Sequence, residues 1–154
     1  MHKNESVRRS LRCELTSPGA RLPANQIPAE VVYDSRDPFA VAFYLDKDGV
    51  RWLVDRGLLA AGLEAVTRAV GEGDVRIRRV IALDARDSEP RVLDEVELEL
   101  SSPSGPPASV WFPAADVEAF LQASYAVVRD GGEGPACDAA LEKLGRLLAA
   151  WSAD

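Results

Sequence analysis

Histidine is nearly missing from this chain: His2 is the single one among 154 residues. Nucleophilic triads need an imidazole held by packing, and a side chain two positions from the N-terminus lacks that support. Cysteine is almost as scarce, with Cys13 and Cys137 far apart and no Cys-x-x-Cys pair. Two remote thiols and one terminal imidazole cannot supply four zinc ligands at usable spacing, so no metal site is expected. No apolar run approaches the ~20 residues that a membrane span requires. The opening Met1-His2-Lys3-Asn4-Glu5 leads into no apolar stretch. Neither a secretory signal nor membrane insertion is expected, and the cytoplasm is the expected location. There both thiols stay free, and Cys13, in phase with Val7, Leu11 and Leu15, reads as a small buried hydrophobe.

What is present belongs to an ordinary globular chain, with 47% apolar and 28% charged residues. The length fits one domain over residues 1–154, large enough to bury a core without metals or disulfides. The formal charge is −7, which opposes a phosphate backbone, so nucleic-acid binding is not expected. Two glycine-rich stretches fail as phosphate cradles. Gly71-Glu72-Gly73 precedes a strand pattern, whereas a phosphate loop opens onto a helix. Gly131 to Gly134 follows a helix pattern and no Lys-Ser/Thr pair comes after it. The acidic residues show no spacing that marks a catalytic pair, and they read as solvated surface. No enzyme and no cofactor are expected.

The apolar pattern gives mostly strands. Val7 to Leu15 alternates and reads as a first strand, Thr16 to Pro28 as a loop, and Glu30 to Tyr33 as a short second strand. Phe39, Val41, Phe43 and Leu45 share a face of a third. Asp46-Lys47-Asp48-Gly49 turns the chain into Val50, Trp52 and Val54. Asp55 is placed to cap a helix carrying Leu59, Leu63, Val66 and Val70, stopped by Gly71 and Gly73. Asp74 to Leu83 and Arg91 to Leu100 form a hairpin, and Ser109 to Phe112 a last short strand. Pro113 opens a helix with Val117, Phe120, Leu121 and Tyr125. Residues 126–135 read as a hinge, and a final helix puts Leu141, Leu144, Leu148 and Trp151 on one stripe. Residues 1–6 are expected to be disordered. Tight turns make these strands antiparallel, and a curved sheet or partial barrel covered by helices buries their one-sided faces: an α+β fold.

Arg76, Arg78 and Arg79 invite a single-stranded nucleic-acid reading, but Glu95, Glu97 and Glu99 alternate along the next strand. If the segment from Asp84 to Pro90 connects the hairpin, Arg76 faces Glu99 and Arg78 faces Glu97. Such cross-strand pairs contribute roughly 0.2–1 kcal/mol each. The same register turns Arg79 onto the apolar face, where a bulge or an interface partner is expected.

Five blocks, in order, resemble the SsgA/SsgB-like sporulation and cell-division proteins of actinobacteria. Val32-Tyr33-Asp34-Ser35-Arg36-Asp37-Pro38-Phe39-Ala40-Val41 is similar to their LxYDxxDPYAV segment. The run from Trp52 to Leu63, which includes Asp55 and Arg56, resembles WxFARDLLxxGL. Gly73-Asp74-Val75-Arg76-Ile77 is similar to GDVRV, the run from Leu100 to Gly105 to LSSPxG, and that from Pro113 to Leu121 to PxxxLxxFL. The stretch between Gly62 and Gly73 is longer than usual and lacks a proline, and Val127 to Pro135 agrees only loosely with VPxGxE.

The resemblance implies a small non-enzymatic protein with an antiparallel sheet plus helices, similar in outline to Whirly-type folds, that assembles as a trimer. It implies partners among other SsgA-like proteins and the tubulin-like FtsZ machinery, with recruitment to sporulation septa. Tyr33, Asp37, Pro38, Trp52, Asp55, Arg56, Asp74, Trp111, Phe112 and Trp151 are the candidate motif or interface residues. Asp37-Pro38 reads as a turn lock and Trp52 as a core aromatic. Trp111 and Phe112 point to opposite faces, so one of them is expected to be exposed or to meet a neighbour.

Overall fold

In a computed structural model, which describes residues 5–152 except 21, 48, 72, 86 and 87, the expected antiparallel α+β architecture is present. The strands are β1 (Ser6–Thr16), β2 (Asn25–Asp34), β3 (Asp37–Leu45), β4 (Val50–Asp55), β5 (Val75–Asp84), β6 (Arg91–Ser102) and β7 (Gly105–Pro113). The helices are α1 (Arg56–Glu64), α2 (Ala114–Val127) and α3 (Glu133–Ser152). The strands form one sheet in the order β4-β3-β2-β1-β7-β6-β5. His2 lies outside the described residues, and Ser6 already opens β1, inside the stretch expected to be disordered.

The sheet curls strongly. The Phe43 and Phe112 ring centroids are 5.5 Å apart, although β2 and β1 lie between their strands. In a flat sheet, three steps of ~4.8 Å would hold β3 and β7 about 14 Å apart. The concave face collects Val31, Tyr33, Val41, Phe43, Ile77, Val96, Leu98, Val110 and Phe112. Leu59 and Leu63 of α1, with Val117, Phe120 and Leu121 of α2, close over it. Cys13 is buried there, and burial pushes its thiol up to about 12.

Several element boundaries differ from the sequence reading. β2 begins at Asn25 and runs through Pro28. Pairing with β3 starts only at Ala29, so the missing Pro28 N–H costs no ladder bond, while its carbonyl still accepts from the Asp46 N–H at 2.9 Å. The β2–β3 register shifts after Tyr33, which turns Phe39 out to solvent instead of onto the core face with Val41. Asp55 caps α1 as expected, its Oδ1 accepting from the Leu58 N–H at 2.9 Å. However, α1 stops at Glu64, because the chain turns to pair Val70 with Ile77, and Val66 is exposed. Pro113 is the N-cap of α2 and not its first helical residue. The break expected over residues 126–135 shrinks to the segment between Val127 and Glu133.

Close approach of α1 to β5 requires Gly62. A Cβ at that position would stand 2.2 Å from Ile77 Cγ2 and 2.7 Å from Ile77 Cβ. Ile77 is fully buried, so neither partner has room to move aside. Gly62→Ala is expected to destabilise the fold by about 1–3 kcal/mol in chemical denaturation. A variant as stable as the parent would mean that α1 and β5 pack less closely than described.

Candidate interaction site

The motif residues converge on a buried cation. Arg56, the first residue of α1, is 1% exposed. Its guanidinium carbon lies 4.6 Å from the Tyr33 ring centroid and 4.8 Å from that of Tyr125, within cation–π range of both. Nη1 donates to the carbonyls of Ser124 at 3.2 Å and Val128 at 2.7 Å, and Nη2 to that of Arg129 at 3.3 Å. Nη2 also pairs with the Glu133 carboxylate. Arg56 therefore ties the end of α2 and the residues that follow it to the first turn of α3. Tyr33 is fully buried, and its hydroxyl donates to the Pro38 carbonyl at 2.9 Å. Burial pushes that phenol up to about 12, with Arg56 acting in the opposite direction. Tyr33, Pro38 and Arg56 are thus joined in one brace, and Asp55 caps the helix that Arg56 opens.

A second brace lies on the opposite face of the sheet, where it corrects the expectation for Trp111 and Phe112. Both are buried, at 2% and 0% exposure. Phe112 joins the concave core, while the Trp111 Nε1–H donates to Thr16 Oγ1 at 2.8 Å. Beside it, Glu97 is 3% exposed and accepts from the Ser109 hydroxyl, Arg78 and the Gly19 N–H. The Gly19 bond draws the β1–β2 connection across this face, which leaves neither aromatic free for a neighbour. Trp52 is half-buried against the core, Asp37 and Asp74 are exposed, and Trp151 is 79% exposed.

The arginine register matches the expectation: Arg76 faces Glu99 and Arg78 faces Glu97. Arg79 does lie on the helix-covered face, yet it needs neither a bulge nor a second subunit. It pairs with Asp94 at 2.6 Å and with Glu118 of α2 at 2.9 Å, and donates to the Leu63 carbonyl at the end of α1. Arg78 and Arg79 are therefore committed to carboxylates within the fold, and no finding supports nucleic-acid binding.

The two braces make stability depend on acid. Burial would raise the Glu97 carboxyl, but the donors from Ser109, Arg78 and Gly19 outweigh it and hold the group below its ordinary value. The Glu133 carboxyl is likewise lowered, because Arg56 and backbone donors overcome its desolvation. A lowered folded value means a contribution that is complete above the ordinary glutamate range near ~4.3 and is lost as pH falls below it. The urea midpoint is expected to hold from about pH 7 to pH 5 and then drop, with a shallower drop in Glu97→Gln. An unchanged pH profile in that variant would contradict the brace.

Among the described residues, no group of three or more His, Cys, Asp or Glu side chains could hold a metal ion, and no helix is long and apolar enough to cross a membrane. Exposed apolar side chains gather in two places. At the far end of the β5–β6 hairpin, Ile81, Leu83 and Val92 are 53%, 69% and 68% exposed. Along α3, Leu141, Leu144, Leu147 and Leu148 are each more than half exposed. The α3 stripe was legible as a period, whereas the hairpin tip read as ordinary strand and nothing in it signalled exposure.

A curled seven-stranded antiparallel sheet covered by helices and carrying buried polar braces defines an α+β domain. The chain belongs to the SsgA family, described as Streptomyces sporulation and cell division protein, whose family model matches residues 27–133. It is 41% identical over 114 residues to the sporulation-specific cell division protein SsgB of Saccharopolyspora erythraea, covering 72% of each chain. It is 36% identical over 140 residues to SsgB of Frankia casuarinae, covering 88% of this chain and 87% of that one. A solved SsgB structure, described with mutations that correlate to longitudinal cell division during sporulation of Streptomyces coelicolor, superposes with a TM-score of 0.70 at 32% identity. It covers 88% of this chain and 98% of the other. An SsgA-like sporulation-specific cell division protein from Thermobifida fusca superposes with a TM-score of 0.73 at 29% identity, covering 93% and 96%.

Proposed function

We propose that this chain is a non-enzymatic adaptor in sporulation-specific cell division, acting in septum placement or assembly through contacts with other proteins. The supporting observation is its membership of a family whose relatives are sporulation-specific cell division proteins. The interior agrees with that reading. The most buried charged side chains, Arg56 and Glu97, are spent on bracing helices and a loop, each within hydrogen-bond reach of fixed partners. A catalytic acid or base needs access to a substrate, and neither group has it.

The partners we assign are other SsgA-like proteins and the tubulin-like FtsZ machinery, met in the cytoplasm at the septum by a homo-oligomer, as a trimer. The test is binding of the purified full-length chain to a purified FtsZ-type GTPase and to a second SsgA-like protein. Saturable binding to either at micromolar concentration or tighter is expected. Absence of binding to both would overturn the adaptor role.

A further inference from the structure

We infer that the outer edge of β5 beyond Arg79 is a docking site for an extended segment of another protein. That segment adds as a further strand and carries basic residues beside alternating apolar ones. This deepens the adaptor reading by naming one contact surface, and rests on it only in taking the occupant to be a protein.

The main chain identifies the shape of the occupant. β5 and β6 pair one to one from Val75 to Asp84, so successive β5 residues aim their backbone groups alternately toward β6 and toward the open side. Ile77 gives the phase. Its N–H and carbonyl are both bonded to Val70, at 2.8 Å each, on the side away from β6. Arg79 follows, with its N–H on the Ala65 carbonyl at 3.0 Å, and there the covering chain ends. The N–H and carbonyl groups of Ile81 and Leu83 face the same open side, and among the described residues no backbone group bonds to them there. Such a row of donors and acceptors fits an extended segment, not a helix, whose main-chain groups are spent internally.

The side chains identify its composition. Ile81 and Leu83 continue the face of Val75 and Ile77, and Val92 stands opposite Leu83. All three are more than half exposed. An extended segment presents alternate residues to one face, so the partner meets this one with apolar side chains two apart. Val80 to Leu83 contains no lysine or proline, the residues that commonly keep a strand edge unpaired. Residues 84–95, around the hairpin tip, carry five acidic and two basic side chains. Basic residues flanking the apolar ones complement that excess. The same excess speaks against a second copy, because pairing β5 with β5 would oppose two acidic tips. That contact is also two-fold and cannot build the trimer assigned above.

The test uses the full-length chain and short synthetic peptides with Val, Ile, Leu or Phe at alternate positions, Thr between them and Lys at both ends. Amide hydrogen exchange in the free chain is expected to be fast at Ile81 and Leu83 and slower at Val80 and Ala82, whose N–H groups face β6. Bound peptide is expected to slow Ile81 and Leu83. N-methylation of the peptide's edge-facing amides leaves its side chains in place and is expected to weaken binding about tenfold, the loss of one or two main-chain hydrogen bonds. Exchanging the Lys ends for Glu is expected to weaken it as well. Ile81→Pro removes an outward N–H and no β5–β6 bond, so it is expected to stay folded and bind about tenfold more weakly. Leu83→Lys, at an exposed position with the main chain intact, is expected to weaken binding without moving the thermal midpoint. Failure of every peptide to bind, or binding indifferent to N-methylation, would overturn the edge site. So would a parent whose own self-association slows exchange at Ile81 and Leu83. Any of these with intact binding to a division protein would leave the adaptor role standing, while a working edge without such binding would remove only that role.

Discussion

Arg56→Met is expected to lower the unfolding free energy by about 3–5 kcal/mol, the usual consequence of removing one partner from a buried ion pair. The side chain serves three backbone carbonyls, the Ser124 hydroxyl and the Glu133 carboxylate at once, with the Tyr33 and Tyr125 rings both within cation–π range. Methionine fills a similar volume, so packing changes little, but the Glu133 charge and the carbonyls at the end of α2 lose their donor together. Arg56→Lys is expected to recover only a minor part, because an ammonium is a point charge and cannot reproduce the planar fork that reaches these acceptors together. The measurement is urea denaturation at neutral pH. A loss within about 0.5 kcal/mol, the range of ordinary surface substitutions, would show that α2 and α3 are held by other contacts.

Trp111→Ala is expected to cost a similar amount, about 3–5 kcal/mol. The indole is 2% exposed on the face of the sheet opposite the helices, and it sits between Glu14 of β1 and Glu97 of β6 in the strand register. Its removal opens a cavity between the sheet and the β1–β2 connection and leaves Thr16 without the indole donor. Trp111→Phe keeps most of the volume and loses that hydrogen bond, so about 1 kcal/mol is expected. If Trp111→Ala cost under about 1 kcal/mol, the connection would not be closed over this face as described.

The fold was legible where the sequence pattern is local. Alternation of Arg76 and Arg78 with apolar residues, facing Glu99 and Glu97, gave the β5–β6 register residue for residue. Asp55 was legible as a cap because capping chemistry spans only three residues. What escaped was decided by distant parts of the chain. Val66 and Val70 keep a helical period, yet the pairing of Val70 with Ile77 ends α1 earlier. Trp111 looked available because alternation gives a strand two faces, and nothing in a proline- and glycine-rich loop says that it folds over one of them. Arg56 lay inside a motif block and was named as a candidate motif or interface residue, with no sign that it would be buried. Its acceptors come from Ser124 to Glu133, far along the chain, and no local propensity sends an arginine into a core. The α3 stripe was visible as a period, but whether it covered the domain or faced away depended on where the helix leaves it.

Two groups of residues separate: Tyr33, Pro38, Asp55 and Arg56, inside the motif blocks, are tied into the domain by hydrogen bonds, whereas exposed apolar side chains outside those blocks gather at the β5–β6 tip and along α3. A substitution in the first group is expected to act through folding, and one in the second through contact.

Sporulation septa counted in a strain lacking this chain test the central claim most directly. The account expects few or misplaced septa in otherwise viable cells, with regular spacing restored by the full-length chain and by Glu97→Gln, in which the buried carboxylate is neutralised. Regular septa in the deletion strain would contradict it.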